Sequence, residues 1–255
     1  MDADPTIAAR QALACLDLTS LNDADDEATV ERLCARAQGR FGPVAAVCVW
    51  PRLAAFARRQ LPPVIPVAAV ANFPDGGTDL ARAERDVGQI VDAGAQEVDV
   101  VLPWRALIDG DTGAATRLLA AARRTSAGLR LKVILETGML DSAQTREASR
   151  IALGEGADFL KTSTGKTPHG ATPEAARVML QSIAADARAA GRAGFKASGG
   201  VRSVTDAAVY IDLVESTLGA DALVPARFRI GASALLDDIE AVLAGRGQAR
   251  ATAGY

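Results

Sequence analysis

Lys161 sits where a lysine is expensive. The stretch Gly156-Ala-Asp-Phe-Leu-Lys161-Thr-Ser-Thr-Gly165-Lys166 reads as an apolar strand that carries an amine and runs into a polar, glycine-closed turn. An ammonium inside a strand buried on both faces must be paired, neutralised or used, and a neutral lysine is a nucleophile. Taken alone, the stretch also fits a plainer reading, a lysine at a strand end that reaches water. A second lysine, Lys196, lies in the next apolar segment, Gly194 to Ala197. On successive strands the two amines are neighbours, and each disfavours protonation of the other. An amine freed in this way attacks a carbonyl. The resulting iminium withdraws electrons, so an adjacent carbon–carbon bond can break or form through an enamine. Asp99, in the segment Gly94 to Leu102, is placed to move protons directly or through a water. The three residues suit a metal-free aldolase.

Asp17, Cys48, Asn72, Lys132 and Glu136 also fall in or just after expected strands. Each has a plain explanation alone: Asp17 caps a turn, Cys48 is a small core residue, and Lys132 or Glu136 sits at a solvated strand end. Together they make a charged mouth, and in a barrel the site lies at the carboxyl ends of the strands. Glycine supplies the other half. Thr164-Gly165-Lys166, Ser198-Gly199-Gly200-Val-Arg202 and Gly231-Ala-Ser233 follow three consecutive strands. Barrels bind phosphate in such loops through backbone N–H groups and helix N-termini, and Lys166 and Arg202 add positive charge. One glycine pair is ordinarily a turn; three in consecutive loops point to a site.

The elements that must position these residues repeat eight times. After a helical segment from Thr6 to Leu13, strands are expected at Ala14 to Thr19, Val44 to Val49, Val64 to Ala71, Gly94 to Leu102, Leu129 to Glu136, Asp158 to Ser163, Gly194 to Ala197 and Arg227 to Gly231. Helices are expected at Asp23 to Gln38, Leu53 to Leu61, Asp79 to Ala93, Thr112 to Ser126, Ser142 to Glu155, Thr172 to Ala190, Ser203 to Leu218 and Ala232 to Ala244. Eight strands alternating with helices, without a break in composition, predict an α/β fold and a single-domain (β/α)8 TIM barrel over residues 1–244. The N-terminal helix is an extension, and 245–255 reads as a flexible tail. An open doubly wound sheet is the alternative, but no G-x-G-x-x-G opens a helix after the first strand.

Composition agrees. The 255 residues are 49% hydrophobic but only 4% aromatic, which favours helices on a parallel sheet over an aromatic-rich sandwich. A net charge of -3 with mixed signs offers no basic stripe for nucleic acid and no polybasic membrane patch. The expected partner is a small molecule. Cys15, Cys34 and Cys48, with the single His169, form neither a paired disulfide pattern nor a zinc signature; this leaves room only for a carboxylate-bound Mg²⁺. With no apolar leader segment, the expected location is the cytoplasm.

The motifs Leu16-Asp-Leu-Thr-Ser-Leu21, Ala46-Val-Cys-Val-Trp-Pro51, Glu97-Val-Asp-Val-Val101, Leu131-Lys-Val-Ile-Leu-Glu-Thr-Gly138, Asp158-Phe-Leu-Lys-Thr-Ser-Thr-Gly165, Phe195-Lys-Ala-Ser-Gly-Gly-Val-Arg202 and Phe228-Arg-Ile-Gly-Ala-Ser233 cover nearly the whole chain. They resemble the deoxyribose-phosphate aldolase family, class I Schiff-base aldolases on a (β/α)8 barrel. The resemblance implies reversible cleavage of 2-deoxy-D-ribose 5-phosphate to D-glyceraldehyde 3-phosphate and acetaldehyde, without a cofactor. It implies that Lys161 forms the Schiff base, that Lys196 perturbs it and that Asp99 is the proton-transfer partner. Asp17, Thr19, Cys48 and Lys132 would line the pocket, and Thr164, Gly165, Lys166, Gly199, Gly200, Arg202, Gly231 and Ser233 would hold substrate at its phosphate end. Some family members end in a tyrosine that assists proton transfer, and this chain ends in Tyr255. A homodimer is the expected assembly.

Two positions depart from the family pattern. Ala234 stands where related sequences often carry a second serine, and His169-Gly170 varies the phosphate-side loop. His169 is read as a surface loop residue rather than a catalyst. A transaldolase-like carbon transferase would place the lysine on another strand. A sugar-phosphate sensor would require loss of the amine or of its partners.

Overall fold

Strands of three to five residues alternate along the chain with helices whose apolar faces turn inward. The computed structural model describes residues 4–246. The strands are β1 (Leu16–Thr19), β2 (Ala46–Val49), β3 (Val67–Ala71), β4 (Glu97–Val101), β5 (Arg130–Ile134), β6 (Phe159–Lys161), β7 (Gly194–Ser198) and β8 (Phe228–Ala232). Every neighbouring pair is parallel, and β8 returns to β1, closing an eight-stranded barrel. The helices are α1 (Pro5–Ala14), α2 (Glu27–Arg36), α3 (Pro51–Gln60), α4 (Leu80–Asp92), α5 (Trp104–Ile108), α6 (Thr112–Thr125), α7 (Ser142–Gly154), α8 (Pro173–Ala185), α9 (Val204–Leu218) and α10 (Leu235–Leu243). This is the TIM barrel expected from the alternating pattern.

Local chemistry sets the boundaries. Asp26, Asp79, Asp111, Asp141, Thr172 and Ser203 each accept a backbone N–H at a helix start, a cap worth about 1 kcal/mol. Many expected boundaries differ from those observed, and four of the shifts have a clear local cause. α1 runs through Ala14, so β1 starts only at Leu16. β3 starts at Val67 rather than Val64, because Pro62, Pro63 and Pro66 have no N–H to donate and Val64 is exposed. α2 starts at Glu27 rather than Asp23, since Asp26 is its cap and Asp25 is used by the preceding loop. α8 stops at Ala185 rather than Ala190, where Asp186 turns back to accept from the N–H groups of Arg188 and Ala189. The short helix α5 was not expected.

α1 lies against α9 and α10, which ties the N-terminal extension to the barrel. Among the described residues, no helix is long and apolar enough to cross a membrane.

Candidate active site

Register decides which side chains meet inside the barrel. Lys161 pairs with Lys196, Lys196 with Arg229, Asp17 with Gly231, and Asp99 with Lys132. Residues in register point to the same side of a parallel sheet, and these point inward. Space is made for them by glycine: a Cβ on Gly231 would lie 2.9 Å from Lys196 Cε, and one on Gly194 would run into the Phe159 ring.

Lys161 and Lys196 both donate to the same oxygen, Asp99 Oδ2, each at 2.8 Å. Lys196 also reaches Asp17 Oδ2 at 2.5 Å. Lys132 Nζ lies 2.7 Å from Asp99 Oδ1, 2.6 Å from Glu97 Oε2 and 3.6 Å from Asp17 Oδ2. Beneath them Arg229 bridges Asp17 at 2.5 Å and Glu97 at 2.8 Å, and Arg130 closes on Glu97 at 2.7 Å. All of these side chains are buried except Arg130, whose side chain is 34% exposed. Cys48 Sγ lies 4.0 Å from Asp99 Oδ2.

The two central lysines differ in their electrostatics. Burial pushes the Lys161 pKa below the usual lysine value; Asp99 opposes that shift and Lys196 adds to it. Burial also works against the charge on Lys196, but Asp17 and Asp99 together overrule it and hold its pKa above the ordinary value. Lys132 is likewise held up against burial by Asp99 and Glu97. Burial would raise the Asp99 pKa, yet Lys132, Lys161 and Lys196 keep it well below the carboxylate range. Burial, and then the Asp99 charge, push the Cys48 thiol up, so it is no thiolate. Lys161 is therefore the amine closest to neutrality in a cluster whose other cations stay charged.

One register step nearer the mouth, a cleft of about 280 Å³ opens. Its lining includes Thr19, Thr164, Gly165, Lys166, Gly199, Gly200, Arg202, Gly231, Ser233 and Ala234. Gly199 and Gly200 both adopt φ +87°, which only glycine takes without strain. Two helix starts flank this cleft. The α9 start is filled by the reciprocal Ser203–Asp206 cap and by Asp238 on the Val204 N–H. The α10 start, at Ala234, has no side-chain cap, and Ser233 and Ala234 line the cleft, an arrangement that suits an anion.

The expected site residues therefore fall into two groups. Lys161, Lys196, Asp99, Asp17, Lys132 and Cys48 make the buried cluster, and the glycine-loop residues with Thr19 make the cleft. Lys132 and Glu136 are fully buried, which removes the solvated strand-end reading of both. Thr164 is committed to the loop itself, its hydroxyl donating to Glu136 Oε2 at 2.6 Å and accepting from the Lys166 N–H. His169 is exposed. Asn72 ties its own loop to the end of β4, donating to the carbonyls of Gly77 and Val101. Tyr255 and residues from 247 onward lie outside the described residues.

Sequence reasoning missed the lower tier, Glu97 and Arg229. Glu97 is two residues before Asp99 and Arg229 two before Gly231, so strand alternation was the available signal.

Comparison with known proteins agrees with this geometry. The family model described as DeoC/LacD family aldolase matches residues 11–240. A deoxyribose-phosphate aldolase of Agrobacterium fabrum (strain C58 / ATCC 33970) is 44% identical over 255 residues, covering 98% of this chain and 97% of that protein. Among solved structures, an aldolase called QR15 is 29% identical with a TM-score of 0.77, over 92% of this chain and 96% of its own. A deoxyribose phosphate aldolase from Aeropyrum pernix, described as a unique tetramer, shares the fold at 24% identity and a TM-score of 0.72, over 95% and 98% of the two chains. The chain belongs to the DeoC/LacD aldolase family.

Proposed function

We propose that the chain is a deoxyribose-phosphate aldolase that cleaves 2-deoxy-D-ribose 5-phosphate reversibly to D-glyceraldehyde 3-phosphate and acetaldehyde through a Schiff base on Lys161. The observation that carries this reading is the Asp99 oxygen shared by Lys161 and Lys196, one register step beneath a cleft with an open helix start. Two amines on one carboxylate oxygen cannot both be fully compensated. Lys196 has Asp17 as well, so Lys161 gives up its proton first.

The neutral Lys161 amine adds to the aldehyde carbon C1 of the open-chain sugar, and loss of water gives the iminium. The iminium then draws the electron pair of the C2–C3 bond as the C3 hydroxyl gives up its proton. D-glyceraldehyde 3-phosphate leaves, and the two-carbon enamine stays on Lys161. Protonation at the enamine carbon and hydrolysis release acetaldehyde and the free amine. Asp99 has too low a pKa to keep a proton, so it serves as a transient carrier through a water, while Lys196 keeps a positive charge on the same Asp99 oxygen. Asp99 also holds the iminium as its counter-ion.

The phosphate fits the α10 start and the Gly199-Gly200 turn, with Lys166 and Arg202 adding charge at the rim. Thr164 serves through the loop it holds, and Ser233 sits at the helix start. The test is direct. Purified protein given 2-deoxy-D-ribose 5-phosphate should release acetaldehyde and D-glyceraldehyde 3-phosphate in equal amounts, and Lys161→Leu should abolish both. Release that survives Lys161→Leu overturns the reading.

A further inference from the structure

The buried cluster has a charge count that the reaction scheme leaves unused. Its carboxylates are Asp17, Glu97 and Asp99, and its fully buried cations other than Lys161 are Lys132, Lys196 and Arg229. Three face three, and Lys161 is the amine left without a carboxylate of its own. Arg130 sits at the floor with its side chain 34% exposed, where water screens its charge. Lys161 contacts Asp99 on β4, with Lys196 on β7 and Cys48 on β2 acting on its charge; the other members of the cluster are Asp17 on β1, Glu97 on β4, Lys132 on β5 and Arg229 on β8. β3 offers only Ala68 and Val70, the register partners of Glu97 and Asp99.

Each lower-tier residue competes for a group that the upper tier needs. Arg229 Nη1 takes Asp17 Oδ1, so Asp17 has only Oδ2 to offer Lys196, and Lys196 keeps its second contact on Asp99. Glu97 takes Lys132 at 2.6 Å, so that lysine is divided between Glu97 and Asp99. Neither Arg229 nor Glu97 lines the cleft.

We propose that Arg229 and Glu97 are positioning residues that act in opposite senses on Lys161, by deciding how much of the Asp99 carboxylate Lys196 and Lys132 occupy. Without the Arg229 guanidinium, Asp17 draws Lys196 toward itself, Asp99 falls to Lys161, and the Lys161 ammonium is stabilised. Without the Glu97 charge, Lys132 leans on Asp99 and Lys161 loses its counter-ion. This rests on the assignment of Lys161 as the reacting amine, but the protonation of Lys161 can be read without the reaction.

The experiment is trace acetylation with acetic anhydride across pH, with peptide mapping of Lys161, on the wild-type chain, Glu97→Gln, Arg229→Met and the double variant. Glu97→Gln should lower the midpoint of Lys161 acetylation by about one pH unit and Arg229→Met should raise it by about as much. The double variant, with one charge of each sign removed, should return close to the wild-type midpoint. Glu97→Gln is isosteric and carries the downward prediction if Arg229→Met does not fold. Midpoints that stay put, or that all move in one direction as loosened packing would move them, overturn the proposal. Loss of Schiff-base trapping with these shifts intact would instead count against the aldolase reading.

Discussion

Lys161 and Lys196 hold one carboxylate oxygen between them, each Nζ lying 2.8 Å from Asp99 Oδ2. Asp17 gives Lys196 a second anion, and Lys161 has none. In the proposed mechanism that inequality makes Lys196 the charged group and Lys161 the nucleophile.

Removing the second lysine should therefore make the first a weaker nucleophile. In Lys196→Leu, Asp99 has one cation fewer and Lys161 holds its proton more tightly, so the acidic limb of the kcat/KM profile should move to higher pH and turnover should fall. A pH–rate profile that keeps the wild-type limb contradicts this.

Gly231→Ala tests the space around Lys196. The added Cβ would lie 2.9 Å from both Lys196 Cε and Ser198 Oγ, and Gly231 does not have a positive φ, so the backbone tolerates alanine. Overpacking should cost about 1–3 kcal/mol of stability and lower kcat at least about tenfold by moving Lys196. Thermal melting and steady-state kinetics read the two effects, and a variant with wild-type kcat refutes the close fit.

Glu136 is fully buried, at φ 59°, and accepts from Thr164 Oγ1, Thr164 N and Thr167 Oγ1. Glu136→Gln replaces one acceptor oxygen with a donor that faces other donors, a mismatch of about 1–3 kcal/mol. The loop it anchors lines the cleft proposed to hold the phosphate. The preference for 2-deoxy-D-ribose 5-phosphate over unphosphorylated 2-deoxy-D-ribose, taken as the ratio of kcat/KM values, should fall about tenfold. Equal losses on both sugars would assign Glu136 to general stability.

Stability should fall on acidification in a defined window. Asp17 and Asp99 are held below their ordinary values in the folded chain, Asp17 chiefly by Arg229 against the opposing effect of burial and Asp99 by the three lysines. The unfolded chain therefore binds more protons between the folded pKa values and the ordinary one. Their contribution is complete above about pH 4 and is lost as pH falls below it. Urea midpoints should show this loss on going from pH 5 to pH 3, and a midpoint unchanged at pH 3 contradicts it.

Much of this was legible because strand alternation and glycine loops are local signals. Lys161, Lys196 and Asp99 each interrupt an apolar strand, and although Lys161 alone also fitted a strand end that reaches water, the three together did not. Arg229 likewise stands between Phe228 and Ile230, but its partner Asp17 is 212 residues away and meets it only when β8 closes on β1. Glu97 obeys the same alternation as Asp99 but stands at a strand start, where a carboxylate ordinarily reaches water. The left-handed backbone at Glu136 has no signature in residue type, since glutamate rarely adopts it.

Borohydride reduction in the presence of acetaldehyde, followed by peptide mass mapping, tests the central claim most directly. The account predicts a two-carbon adduct on the peptide containing Lys161, absent from Lys161→Leu. No adduct on that peptide, or the same adduct in Lys161→Leu, would contradict it.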